Sequence, residues 1–229
     1  MQNIIICGAN FFIEYTGLRS NDKLWRSRKV NKDKTNIAAL CGWISEKPTY
    51  SHSVGGRSFY SFILTVDRLS GTGDRLQIIC PISLLESLEP DGSPMLRVVG
   101  ELRSHNNKSG VGSKLQIFVY AYELSQCCDS PENYIYLRGA LCKKPILRTT
   151  PLGREICDLL LAVNRSCGHS DYPPCIAWGR FAQTAASLSV GASMELEGRL
   201  QSRSYIKNLG GVDREKIAYE VSASALREI

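Results

Sequence analysis

The chain has 229 residues, 43% of them hydrophobic, and carries a formal net charge of +6 with a pI near 8.8. That length holds one large core or two small ones, because domains commonly run about 100 to 150 residues. Mild basicity favours polyanionic partners, and no apolar run approaches the roughly 18 residues of a membrane span. The apolar start, Met1 to Ile13, lacks a basic leader, which argues against a signal peptide. Nine cysteines, an odd number without a Cys-x-x-Cys pair, point to a reducing, cytoplasmic setting.

In chain order, residues 1–34 match nothing downstream and end near the basic run Trp25 to Lys29. They read as an N-terminal extension: a solvated arm, an added nucleic-acid contact, or an upstream extension of the true reading frame. From Asn36 the chain is written twice. An offset of 97 maps Asn36 onto Asn133, Leu40 onto Leu137, Gly42 onto Gly139, Pro48 onto Pro145, Gly56 onto Gly153 and Arg68 onto Arg165. One inserted residue then moves the offset to 98, with Ile78 on Ile176, Gly100 on Gly198 and Ser104 on Ser202. The expected domains are residues 35–125 and 133–229, joined by a polar, aperiodic linker at 126–132.

Each copy shows period-two alternation with turn punctuation and one short helical stretch. In the second copy, strands are expected at Tyr134–Leu141, Glu155–Val163, Pro174–Trp178, Ser193–Arg203 and Ile217–Ala225, with a helix at Phe181–Leu188. Five strands with a helix between the third and fourth is the order of an OB barrel. The predicted class is therefore all-β: two tandem five-stranded OB-fold barrels, each with one short helix between strands 3 and 4. Gly139 and Gly198 suit its tightly curved corners.

The run Asp171-Tyr-Pro-Pro-Cys-Ile-Ala-Trp178-Gly-Arg-Phe-Ala-Gln183 anchors the second copy, preceded by Asn133-Tyr-Ile-Tyr-Leu-Arg-Gly139 and followed by Gly191-Ala-Ser-Met-Glu-Leu-Glu-Gly198. This order resembles the OB-fold of the bacterial single-stranded DNA-binding proteins, the SSB family, over almost the whole second half. The resemblance implies a non-enzymatic protein that binds single-stranded DNA without strong sequence preference, in replication, recombination or repair. It puts base-stacking rings at Tyr172, Trp178 and Tyr205; a fourth family aromatic falls on Cys167. An alternative is an interaction or primosome-accessory module with little DNA binding of its own. Four barrels per working unit, as in the family, imply a homodimer. Replication proteins are candidate partners, although the family's acidic-tipped tail has no match before Ile229. RNA is not excluded, since stacking does not read the sugar hydroxyl.

Such a barrel needs rings for bases and cations for phosphates. Residues 133–229 carry 13 Lys+Arg against 9 Asp+Glu, whereas residues 31–130 balance at 10 each. The phosphate candidates are Arg138, Arg148, Arg154, Arg165, Arg180, Arg203 and Lys207, with Lys143, Lys144 and Arg199 beside them. Arg165, Arg180 and Arg203 bracket the rings most closely. Ile206 to Lys216, holding Gly210-Gly211, is expected to be a hairpin loop that grips or releases the strand. In the first copy the ring positions fall on Asp74, Cys80 and Asn107, so that barrel is expected to be the less active one. Its Trp43, Phe59, Tyr60 and Phe62 are expected in packing. No catalytic set stands out, and no cofactor is implied. Cys157, Cys167, His169 and Cys175 lack a zinc spacing.

Overall fold

Wherever apolar residues recur at alternate positions, the chain forms a strand with one face turned inward. The computed structural model describes residues 34–89, 95–108, 113–127, 130–209 and 212–229, apart from the side chains at 207, 209, 212 and 214. The expected extension at 1–34 lies, up to residue 33, outside the described residues. The first copy forms β1 (Asn36–Ile44), β2 (Thr49–Val54), β3 (Arg57–Asp67), β4 (Gly73–Pro81), helix α1 (Ile82–Glu86), β5 (Met95–Asn106) and β6 (Leu115–Gln126). The second forms β7 (Glu132–Leu141), β8 (Ile146–Thr149), β9 (Glu155–Asn164), β10 (Ser170–Asp171), β11 (Pro174–Trp178), helix α2 (Arg180–Ala186), β12 (Ser193–Leu209) and β13 (Val212–Glu228).

Hydrogen-bonded ladders run from β1 to β3, β4, β6, β5 and back to β1, so the first sheet closes on itself. The ladders β7, β9, β11, β13, β12 and back to β7 close the second. In each ring the third and fifth long strands pair in parallel, Ile78 with Val119 and Cys175 with Val221. These are the two OB barrels the alternation predicts. Their interiors repeat as well: Leu40, Leu64 and Leu102 are buried in one, Leu137, Leu161 and Leu200 in the other. Each such leucine contributes about 1.5 to 3 kcal/mol of hydrophobic burial. Where strands cross most closely, a Cβ added at Gly139 or Gly198 would run into the carbonyl oxygens of Ala162 or Ser222.

The barrels share one seam. β1 and β7 pair antiparallel, Asn36 opposite Leu137 and Leu40 opposite Asn133. Since Asn36 and Asn133 are copies, as are Leu40 and Leu137, the seam has an approximate two-fold axis within one chain.

Register corrects the predicted offset. Phe59 lies opposite Pro81 and Ile156 opposite Trp178, so 97 holds to the end of β11. The extra residue is Gly179, which caps α2 at φ 53, a backbone conformation glycine tolerates. In the first copy Pro81 both ends β4 and caps α1. The counterparts of Tyr172 and Trp178 are therefore Arg75 and Pro81, not Asp74 and Cys80. A second correction concerns the expected loop from Ile206 to Lys216. Its flanks continue the ladder, with Ile206 opposite Glu215 and Leu209 opposite Val212, leaving only 210–211 outside the described residues. Trp43, expected in core or barrel-contact packing, is 43% exposed at the end of β1.

Candidate nucleic-acid interface

The outer face of the second barrel is laid out by its ladders. Arg148 of β8, Ile156 of β9 and Trp178 of β11 stand in one cross-strand row. The next row is Ile146, Asp158, Ile176 and, on β13, Ser222. Ile156 and Ile176 are almost fully buried yet stand outside the interior cluster, which makes them an apolar pedestal on the barrel's outside. Trp178 stands beside it, 36% exposed, with its indole N–H donating to Ser222 Oγ at 3.0 Å. That bond fixes the ring's orientation and leaves a π surface open, the arrangement a stacked base requires. Trp178 also lines a shallow cleft of about 750 Å³ with Thr149, Gly153, Arg154, Glu155 and Gly179. Tyr172 and Tyr205 are 42% and 36% exposed. Arg203 lies 5.9 Å from the centre of the Tyr205 ring, within reach of a cation–π contact.

The basic candidates divide. Arg154 borders the Trp178 cleft, and Arg148 stands in the Trp178 row while paired with Asp158 through Nε at 2.5 Å and Nη2 at 3.0 Å. Arg180 lies exposed on α2, 4.9 Å from the centre of the half-buried Phe181 ring. Arg138 is not among them: it is exposed on β7 directly opposite Glu195, on the sheet that crosses the seam. Lys207 has its backbone in β12, and its side chain lies outside the described residues.

Arg165 has a different occupation. Its Nε donates to Asp171 Oδ2 at 2.7 Å and its Nη2 to Asp171 Oδ1 at 2.5 Å. Asp171 is fully buried, and also accepts from the backbone N–H of Ser104 in the first barrel at 2.6 Å and from Arg103 at 3.1 Å. The copy-related contact has Arg68 gripping Asp74, with Asp74 accepting from the N–H of Ser202 at 2.9 Å. Two such clamps hold the barrels together. They also set the entry to the third strand, because Ser104 Oγ accepts from the Tyr172 N–H at 2.7 Å, as Ser202 Oγ does from that of Arg75 at 3.1 Å. Burial pushes the Asp171 carboxyl up, but the bonds from Arg165, Ser104 and Arg103 outweigh it and hold the group below the ordinary carboxylate range. A guanidinium so held is structural, which removes Arg165 from the phosphate contacts expected of it. Sequence reasoning missed the clamps although a signal existed: Arg, Asp and Ser recur in both copies.

The thiols take no comparable part. Burial raises Cys80 to about 11 and also raises Cys157 and Cys175. Among the described residues, no group of three or more His, Cys, Asp and Glu is placed to hold a metal ion. Nor, among those residues, is any helix long and apolar enough to cross a membrane.

Known proteins resemble this one in both sequence and fold. Residues 132–228 match the single-strand binding protein family. Single-stranded DNA-binding protein B of Bacillus subtilis is 38% identical over 88 residues, which are 35% of this chain and 77% of that protein. The single-stranded DNA-binding protein of Halalkalibacterium halodurans is 33% identical over 102 residues, covering 42% of this chain and 59% of the relative. For protein A of Bacillus subtilis the figures are 36% over 85 residues, 34% and 49%. The chain thus spans about half the length of the longer relatives. In fold, the crystal structure of the single-stranded DNA-binding protein from Thermus aquaticus matches with a TM-score of 0.67 at 22% identity, over 85% of this chain and 92% of that one. That likeness extends across both barrels and concerns the fold. With a second barrel matched from end to end and a relative matched over most of its length, the chain belongs to the single-strand binding protein family.

Proposed function

We propose that this protein binds single-stranded DNA with little sequence preference, by stacking bases on Trp178, Tyr172 and Tyr205 and placing phosphates near Arg148, Arg154, Arg180 and Arg203. The observation that carries the reading is the Trp178 row: an exposed indole, oriented by Ser222, beside an apolar pedestal and an arginine-edged cleft. Stacking on a side chain of this kind contributes about 1 to 3 kcal/mol per base and tolerates any base. The names of the relatives support the ligand. The same reading places the protein in the cytoplasm, in replication, recombination or repair, and pairs two chains into a unit of four barrels. The two-fold seam inside one chain supports that count, since it already joins two barrels.

Titration of intrinsic fluorescence with oligo-dT at two salt concentrations tests the proposal. Quenching is expected, and affinity should fall with salt at a slope of about 0.7 per phosphate contacted. An unquenched signal together with no retardation of labelled oligo-dT would favour a protein-binding module instead. Light scattering of the free protein reads the number of chains.

A further inference from the structure

We infer that the first barrel carries its own stacking surface for unpaired bases, with the ring moved sideways by one strand. This rests on the single-strand reading above and extends it to the barrel whose counterpart positions had lost their rings. On the outer face of the first barrel the ladders place His52, Phe59 and Pro81 where the second barrel has Arg148, Ile156 and Trp178. The next row places Ser61, Ile79 and Tyr120 where Asp158, Ile176 and Ser222 stand. Proline has no ring to offer, but Tyr120 occupies the position of the serine that holds the Trp178 indole.

The pedestal is kept. Phe59 and Ile79 are each 8% exposed and stand outside the interior cluster, as Ile156 and Ile176 do. On it the exposed His52 ring lies parallel to Phe59, 4.9 Å between centres at 12°, and Tyr120 follows at 6.0 Å and 44°. Arg103, held by Asp171 and Glu101, lies 6.0 Å from the centre of the Tyr120 ring and fixes that ring's surroundings rather than offering a free cation. The Arg148–Asp158 ion pair is replaced by the uncharged His52 and Ser61, Glu101 stands opposite Tyr120 where Arg199 stands opposite Ser222, and Arg57, exposed, keeps the place of Arg154. A rank of rings with an open outer member, and the exposed Arg57 two residues before Phe59 on the same strand, suits bases of the same unpaired strand that crosses Trp178.

The test uses the full chain with oligo-dT of two lengths: one of about 12 nucleotides, which fills a single barrel, and one of about 30, which reaches both. Wild type should bind the longer strand more tightly. The double variant His52→Ala with Tyr120→Ser, the second barrel's own residue, should weaken the longer complex about tenfold or more and change the shorter by less than about twofold. As a measurement independent of the variant's folding, oligo-dT carrying 5-iodouracil is irradiated with the wild-type protein, and adducts are expected on His52 or Tyr120 as well as around Trp178. Equal effects on both lengths, or adducts confined to the second barrel, would overturn the inference and leave the single-strand reading intact. Wild-type protein that binds neither length would overturn both.

Discussion

Replacing Asp171 by Asn keeps the side chain's shape and removes its charge, so it isolates the worth of one clamp between the barrels. In the native protein this fully buried carboxylate accepts from Arg165, Arg103 and the Ser104 N–H. Breaking a buried pair costs about 3 to 5 kcal/mol, chiefly because the partner charges are left without compensation. The two guanidinium side chains are 25% and 19% exposed, so they recover some hydration, and the expected loss sits near the lower figure, about 3 kcal/mol. For a protein of this size about 2 to 4 °C of Tm accompanies each kcal/mol, so thermal unfolding followed by circular dichroism should show a fall of about 6 to 12 °C at pH 7. Asp74→Asn should lose less, because among the described residues Arg68 alone brings a guanidinium to Asp74. The sign with pH follows from the lowered carboxyl. Its contribution is complete above the unfolded value of about 3.9 and disappears as pH falls through the folded value, so wild type and variant should converge in acid. A Tm change of less than about 2 °C, or a gap unchanged in acid, would refute the assignment.

Three further outcomes are expected. Trp178→Ala and Tyr205→Ala should each weaken oligo-dT binding by about 1 to 3 kcal/mol in a fluorescence-anisotropy titration, whereas Asn107→Ala, at the first barrel's counterpart of Tyr205, should change it little. Gly198→Ala forces a methyl group into the Ser222 carbonyl, and urea unfolding should show a loss of about 1 to 3 kcal/mol or more, with weaker binding because the same residue orients Trp178. Arg148→Ala breaks an ion pair whose side chains are 48% and 41% exposed, so stability should change by less than about 1 kcal/mol while the salt slope of DNA binding becomes shallower.

The barrels were legible because alternation and turn residues are local signals: Pro174–Trp178 and the start of β12 at Ser193 fall where expected. The exposed rings Tyr172, Trp178 and Tyr205 were legible through the family pattern, and their accessibility needed the fold. What the sequence hid was longer in range. A single shift of offset was placed before β11 rather than after it, because Ile78 and Ile79 are adjacent and either can be aligned with Ile176. Only ladder register separates them. Arg165 looked like a phosphate ligand because it stands near the rings in sequence. Its true partner, Asp171, needs the Ser104 amide from the other barrel to complete its hydrogen bonding, and no local pattern announces that. Strand pairing beyond Arg203 was missed because polar residues and a Gly-Gly pair break the alternation while leaving the backbone free to pair.

The β1–β7 seam has a consequence for assembly. Two barrels meeting as separate chains would come apart on dilution, and any substitution would appear on both sides of the axis. Tethered as they are, the halves meet at an effective concentration set by the short connection between Gln126 and Glu132 rather than by how much protein is present. The join should therefore persist at nanomolar protein, and either rim is free to diverge without disturbing its twin.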